Sequence, residues 1–186
     1  MLRNALVLIL AGFPAIASAQ QVPVENMAKP SSSWARVAGR NITADPIVIA
    51  NIVRGEGYKV QAGKQQDGAP FLQSDMQGLP FTIFMNNCIA GKACRTIQFY
   101  AGFSVSTPRS LELINRWNQT KRFAKAYIDD QDDPRLEMDL NLADGGIARD
   151  NFIADFQLWV RLLAQFRDHI GWNSESDGHS GSDNSD

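Results

Sequence analysis

The stretch Leu79–Val105 constrains the fold most. In its first half Leu79, Phe81, Ile83 and Met85 alternate with Thr82, Phe84 and Asn86; in its second half Ile97, Phe99, Ala101, Phe103 and Val105 alternate with Thr96, Gln98, Tyr100, Gly102 and Ser104. Side chains of a strand point to opposite faces in turn, so a period of two over this length predicts a half-buried antiparallel hairpin. One face is oily and the other mixed. The connection between the halves carries the chain's two cysteines, Cys88 and Cys94.

The first residues bear on how those cysteines read. Residues 1–19 have the form of a secretory signal: Arg3 supplies the positive start, residues 5–16 an apolar run, and Ala17-Ser18-Ala19 a small-residue cleavage site. The run is too short to span a bilayer as a helix, which argues against a retained membrane anchor. Cleavage after Ala19 would deliver the protein to the periplasm or the exterior. An oxidising compartment favours a Cys88–Cys94 disulfide over a redox pair or a metal site, since the spacing is C-x₅-C and no histidine lies nearby. Removing Arg3 takes the formal net charge from −2 to −3. Glu175, Asp177, Asp183 and Asp186 of the tail account for more than that deficit, so the folded part is close to neutral and carries no basic footprint for nucleic acid.

Residues 20–40, with Pro23, Pro30 and Ser31-Ser32-Ser33, read as a flexible leader, and residues 173–186 as a disordered acidic tail too polar to bury anything. Between them, residues 41–172 form one domain. Thr43 is a plausible cap for a first helix with Pro46 in its first turn and Gly55 and Gly57 at its end. Ile47, Val48, Ile49, Ala50, Ile52 and Val53 supply its apolar side. A strand begins at Tyr58-Lys59-Val60, Asp67-Gly68 is a turn, and a second strand runs from about Pro70 to Asp75. Beyond the hairpin, Thr107 and Pro108 mark a helix start, with Leu111, Ile114 and Trp117 on one face. A second hairpin pairs Ala124, Ala126 and Ile128 with Leu136, Met138, Leu140 and Leu142. The last helix carries Phe152, Phe156, Trp159, Leu163, Phe166 and Ile170 as a core-facing stripe.

The order is helix, four strands, helix, two strands, helix. It predicts an α+β, two-layer domain, an antiparallel sheet of five or six strands covered on one face by three helices.

Gly57-Tyr58, Asp67-Gly68, Ile97-Gln98-Phe99, Asn115-Arg116-Trp117-Asn118, Tyr127-Ile128-Asp129 and the glycines before the last helix resemble the YbjN domain family. The resemblance runs from about Ile42 to Phe166, and N-x-W-N is its most specific piece. It implies a fold similar to that of type III secretion chaperones and a role in sensory-transduction regulation. It implies no catalytic residues.

The chain's own chemistry is sparse. His169 and His179 are its two histidines, neither placed for a triad, and a disulfide would deny the cysteines a thiolate. The run Asp129–Asp133 suggests calcium, but the sixth position of an EF-hand-type loop is Pro134 and the twelfth is Leu140. No phosphate loop follows Gly145-Gly146. No cofactor or metal is therefore expected. Asn115 and Asn118 beside Trp117 read either as a structural bridge into the next strand or as a recognition site.

Two functions stand. The favoured one is a non-enzymatic binding module, chaperone-like or sensory, that contacts a client or a second copy through the uncovered sheet face carrying Phe84, Tyr100, Phe123 and Tyr127. The other is a histidine-independent enzyme using Asp129, Glu137 and Asp139.

Overall fold

The computed structural model describes residues 41–173 and Asp177. The expected signal and leader lie outside the described residues, as does the acidic tail apart from Asn173 and Asp177.

The architecture is α+β, as the element order predicts. Strands β2 (Gln61–Lys64), β3 (Pro70–Met76), β4 (Leu79–Asn86), β5 (Thr96–Gly102), β6 (Lys125–Ile128) and β7 (Pro134–Asn141) form one antiparallel sheet in the order β2-β3-β4-β5-β7-β6. A separate two-stranded ribbon joins β1 (Asn41–Ile42) to β8 (Ile147–Ala148). The helices are α1 (Pro46–Gly55), α2 (Leu111–Thr120) and α3 (Arg149–Ile170).

The central hairpin sets Met85 opposite Ile97 and Ile83 opposite Phe99, so the two oily sides share one face as the alternation predicts. Leu79, Phe81, Ile83, Met85, Ile97, Phe99 and Ala101 are all buried. Before it, β3 turns into β4 through Gln77-Gly78, both at positive φ (53° and 84°), the type I′ geometry whose twist suits a two-residue hairpin. Between β4 and β5, Cys88 and Cys94 are joined as a disulfide. Closing so short a loop contributes about 2 kcal/mol by the chain-entropy relation.

The six-residue stripe of α3 is wholly buried. Its Trp159 ring stacks on Phe99 at 5.5 Å and meets Phe81 edge-on at 6.3 Å, so one side chain ties the helix to both strands of the hairpin. Trp117 of α2 packs against Phe166 at 5.0 Å. The ribbon holds the start of α3 close to residue 42: a Cβ at Gly146 would collide with the Ile42 carbonyl oxygen.

Several local expectations are corrected. The cap of α1 is Asp45, not Thr43; its Oδ1 accepts the N–H groups of Ile47 at 2.8 Å and Val48 at 3.1 Å. Proline at the first helical position places the cap immediately before it. Ile47 is exposed, and Ile49, Ala50, Ile52 and Val53 make the buried face. Tyr58–Val60 precede the strand: the Tyr58 ring packs on Phe156 at 5.0 Å, and the Arg54 guanidinium donates to the Val60 carbonyl at 3.1 Å. Helix α2 is capped by Ser110, whose Oγ accepts the Leu113 N–H at 3.1 Å, not by Thr107. Arg109 ties residues 107–110 to the end of α3, which delays the helix and leaves Leu111 71 % exposed. The tail does bury one residue: Asp177 is enclosed and hydrogen-bonded.

Candidate contact face

With the helices on one side, the polar-side residues of each strand line a face that no described element covers. Register sets them in rows. Gln73, Thr82, Tyr100, Glu137 and Lys125 lie side by side across five strands. Phe71, Phe84, Gln98 and Asp139 form the neighbouring row, and Gly102, Arg135 and Tyr127 the next. Cross-strand neighbours on one face are close enough to interact directly. The rings of Phe71 and Phe84 are 6.1 Å apart, and those of Phe84 and Tyr100 5.7 Å. Phe71 also lies over Gly63 on the edge strand, where a Cβ would collide with its ring.

Two charge centres of the face are paired within it, Glu137 with Lys125 and Arg135 with Asp129 and Asp133. Glu137 is 7 % exposed, which a carboxylate tolerates only when well bonded. Its Oε1 accepts the Tyr127 hydroxyl at 2.7 Å; Oε2 accepts Lys125 Nζ at 2.8 Å and Gln98 Nε2 at 3.3 Å. Burial, reinforced by this carboxylate, pushes the Tyr127 phenol well above its usual range. The hydrogen bond to Glu137 raises the Lys125 ammonium, with burial acting against it. The Tyr100 phenol is raised by burial, and the positive charge of Arg135 opposes the shift.

The acidic run closes the hairpin between β6 and β7. Asp129 Oδ1 accepts the N–H groups of Gln131 and Asp133, both at 3.0 Å. Its Oδ2 accepts from Arg135 Nε at 2.8 Å. Burial acts upward on the Asp129 carboxyl, but the two backbone N–H groups and the guanidinium together hold it below its ordinary value. Asp133 also pairs with Arg135, and its Oδ1 accepts the Val105 N–H at 3.0 Å. The guanidinium lies across Gly102, where a Cβ would collide with Nη1. Beside it a shallow depression of about 640 Å³ is lined by Lys59, Gln73, Asp75, Thr82, Tyr100 and Arg135.

Of the four residues expected on the face, Phe84, Tyr100 and Tyr127 lie in these rows. Phe123 does not. It precedes β6 with φ at +75°, 65 % exposed, and the Arg122 guanidinium sits 5.0 Å from its ring. The N-x-W-N residues lie elsewhere again. Trp117 is buried, and its Nε1 donates to the Ala124 carbonyl at 3.2 Å. Asn118 grips one residue of the edge strand from outside: Nδ2 donates to the Ala126 carbonyl and Oδ1 accepts the Ala126 N–H, both at 2.9 Å. Its amide thus takes the place of a neighbouring strand. Asn115 is exposed on α2.

The carboxylates of the enzyme reading are all engaged, with Gln98 Nε2 shared between Glu137 and Asp139. Asp129 holds Arg135, Glu137 holds Lys125 and Tyr127, and Asp139 accepts Gln98 Nε2 at 3.0 Å. His169 bonds the Leu113 carbonyl oxygen at 2.8 Å beside Trp117, while His179 lies outside the described residues. Among the described residues no three His, Cys, Asp or Glu side chains gather as a metal site. Reasoning from the sequence missed the burial of Glu137. The alternation placed it on the wet face, and the facing Tyr127 and Lys125 were the signal that could have found it.

The YbjN family model, described as "Putative bacterial sensory transduction regulator", matches residues 45–172. No curated protein matches the chain significantly. A solved structure, "Crystal structure of YbjN, a putative transcription regulator from E. coli", is similar at 16% identity and a TM-score of 0.48, covering 68% of this chain and 90% of that one.

Proposed function

Because the chain belongs to the YbjN family, whose model spans residues 45–172, we propose that it is a regulatory binding module that engages a protein partner on the open face of its six-stranded sheet. We place this activity in the periplasm or outside the cell, on the strength of the signal-like residues 1–19 and the Cys88–Cys94 disulfide.

One observation carries the reading. The face combines Phe71, Phe84 and Tyr100 with two paired charge centres, Glu137 with Lys125 and Arg135 with Asp129 and Asp133, around a shallow depression rather than a cleft. Aromatic rings inside a polar rim suit a protein contact, because apolar area is removed from water while these ion pairs stay intact. A carboxylate enzyme has less support: general acids need a raised pKa, and Asp129 is held low by Arg135 and two N–H groups.

A photo-crosslinking residue at Thr82, in the centre of the face, tests the proposal in cells that export the protein. Adducts with a discrete protein are expected from position 82 and not from Glu112 on α2. Adducts at equal yield from both positions, or from position 112 alone, would refute the face as the contact site.

A further inference from the structure

Arg109, in the loop before α2, has a side chain only 16 % exposed. Its Nε donates to the Ile170 carbonyl at 2.8 Å and its Nη2 to Asp177 Oδ2 at 3.1 Å. Asp177 Oδ1 accepts both the Ser106 N–H at 3.1 Å and the Ser106 hydroxyl at 2.9 Å. The Asn173 N–H donates to Oδ2 at 3.1 Å. Four donors from two chain segments therefore converge on one carboxylate, itself 5 % exposed. The Asn173 N–H, then the Ser106 donors and Arg109, hold its pKa below the ordinary carboxylate value against the effect of burial.

With Asp177 in place the guanidinium is enclosed, and breaking such a pair from one side leaves the other charge uncompensated. Asp177 is the carboxylate that pairs with it among the described residues. Ser106 and Arg109 lie within the family match, which ends at residue 172, whereas Asp177 lies beyond it. Three of the four donors, on Ser106 and Arg109, thus belong to the domain, while the Asn173 N–H and the carboxylate belong to the tail.

We propose that Ser106 and Arg109 form a carboxylate-binding site for an acidic peptide, and that Asp177 occupies this site in cis. The site is separate from the open sheet face and does not depend on it. Tethering gives the tail an effective concentration in the millimolar range. An acidic segment of a partner gains the site only by displacing the tail, which makes the tail a latch.

The full chain carrying Asp177→Ala leaves the receptor intact and vacates it. Calorimetric titration of that variant with a synthetic peptide of residues 173–186 should show binding. Wild-type protein, whose site is filled, should bind the peptide at least about tenfold more weakly. A peptide carrying Asp177→Asn keeps Glu175, Asp183 and Asp186, and should bind the variant at least about tenfold more weakly than the native peptide. Equal affinity of the two peptides, or no binding to a variant whose circular dichroism is native, would overturn the proposal. If Asp177→Ala fails to fold, Asp177→Asn retains the shape without the charge and is titrated in the same way, with the same outcomes decisive.

Discussion

Tyr127 and Glu137 show how one hydroxyl can decide what a surface residue is for. On the sequence Tyr127 is an aromatic of the contact face. In the structure its hydroxyl donates to the buried Glu137 carboxylate at 2.7 Å, and the ring remains partly exposed. A buried acceptor that loses its donor costs about 1–3 kcal/mol. Tyr127→Phe deletes the donor and little else, so its urea midpoint should fall by an amount equivalent to that range, with the slope unchanged. A midpoint within error of wild type would mean that water replaces the hydroxyl and that Glu137 is less enclosed than it stands here. The same bond makes Tyr127 a poor choice for probing partner contact. Thr82 sits in the same face without that structural duty.

Asn118 and the strand it closes bring the same reasoning to the level of an element. Edge strands present unpaired N–H and C=O groups that invite pairing with another chain. On β6 the Asn118 amide satisfies both groups of Ala126. Asn118→Ala should cost about 1–3 kcal/mol for the orphaned groups. It should also open the edge, so that sedimentation velocity shows association growing with concentration. A variant that lost stability yet stayed monomeric at every concentration would confine Asn118 to a local bridge. The bridge was one of the two readings open on the sequence, because an amide a few residues before a strand can reach it. Elsewhere legibility followed periodicity. The hairpin of β4 and β5 and the stripe of α3 were plain because burial repeats every second, or every third and fourth, residue. Thr43 and Thr107 misled because a cap depends on where tertiary contacts let the helix begin. Proline fixed that point at Asp45, and the grip of Arg109 on Ile170 moved it to Ser110.

For the molecule as a whole, α3 is the element on which the layers close, and Trp159 is its centre. Its ring bridges Phe81 of β4 and Phe99 of β5, with Phe156 alongside both. The stripe predicted this packing, whereas the anchoring of Asp177 was illegible, since the donors on Ser106 and Arg109 that hold it lie 71 and 68 residues away in the chain. Domains of this size are stable by only about 5–15 kcal/mol. Trp159→Ala removes a large ring from a closed core and should cost about 3–5 kcal/mol, enough to bring a marginally stable domain near unfolding. Trp159 has a further property: its indole N–H is buried without a hydrogen-bond partner among the described residues. An unsatisfied buried donor already carries a desolvation cost in the native state. Trp159→Phe removes that donor while keeping an aromatic ring against Phe99, so part of the lost packing is offset. Its cost should stay below about 1.5 kcal/mol, within the range of conservative core exchanges. Chemical denaturation of the two variants decides the matter. If phenylalanine destabilises as much as alanine, the N–H has a partner in solution, and Trp159 is held by a hydrogen bond as well as by packing.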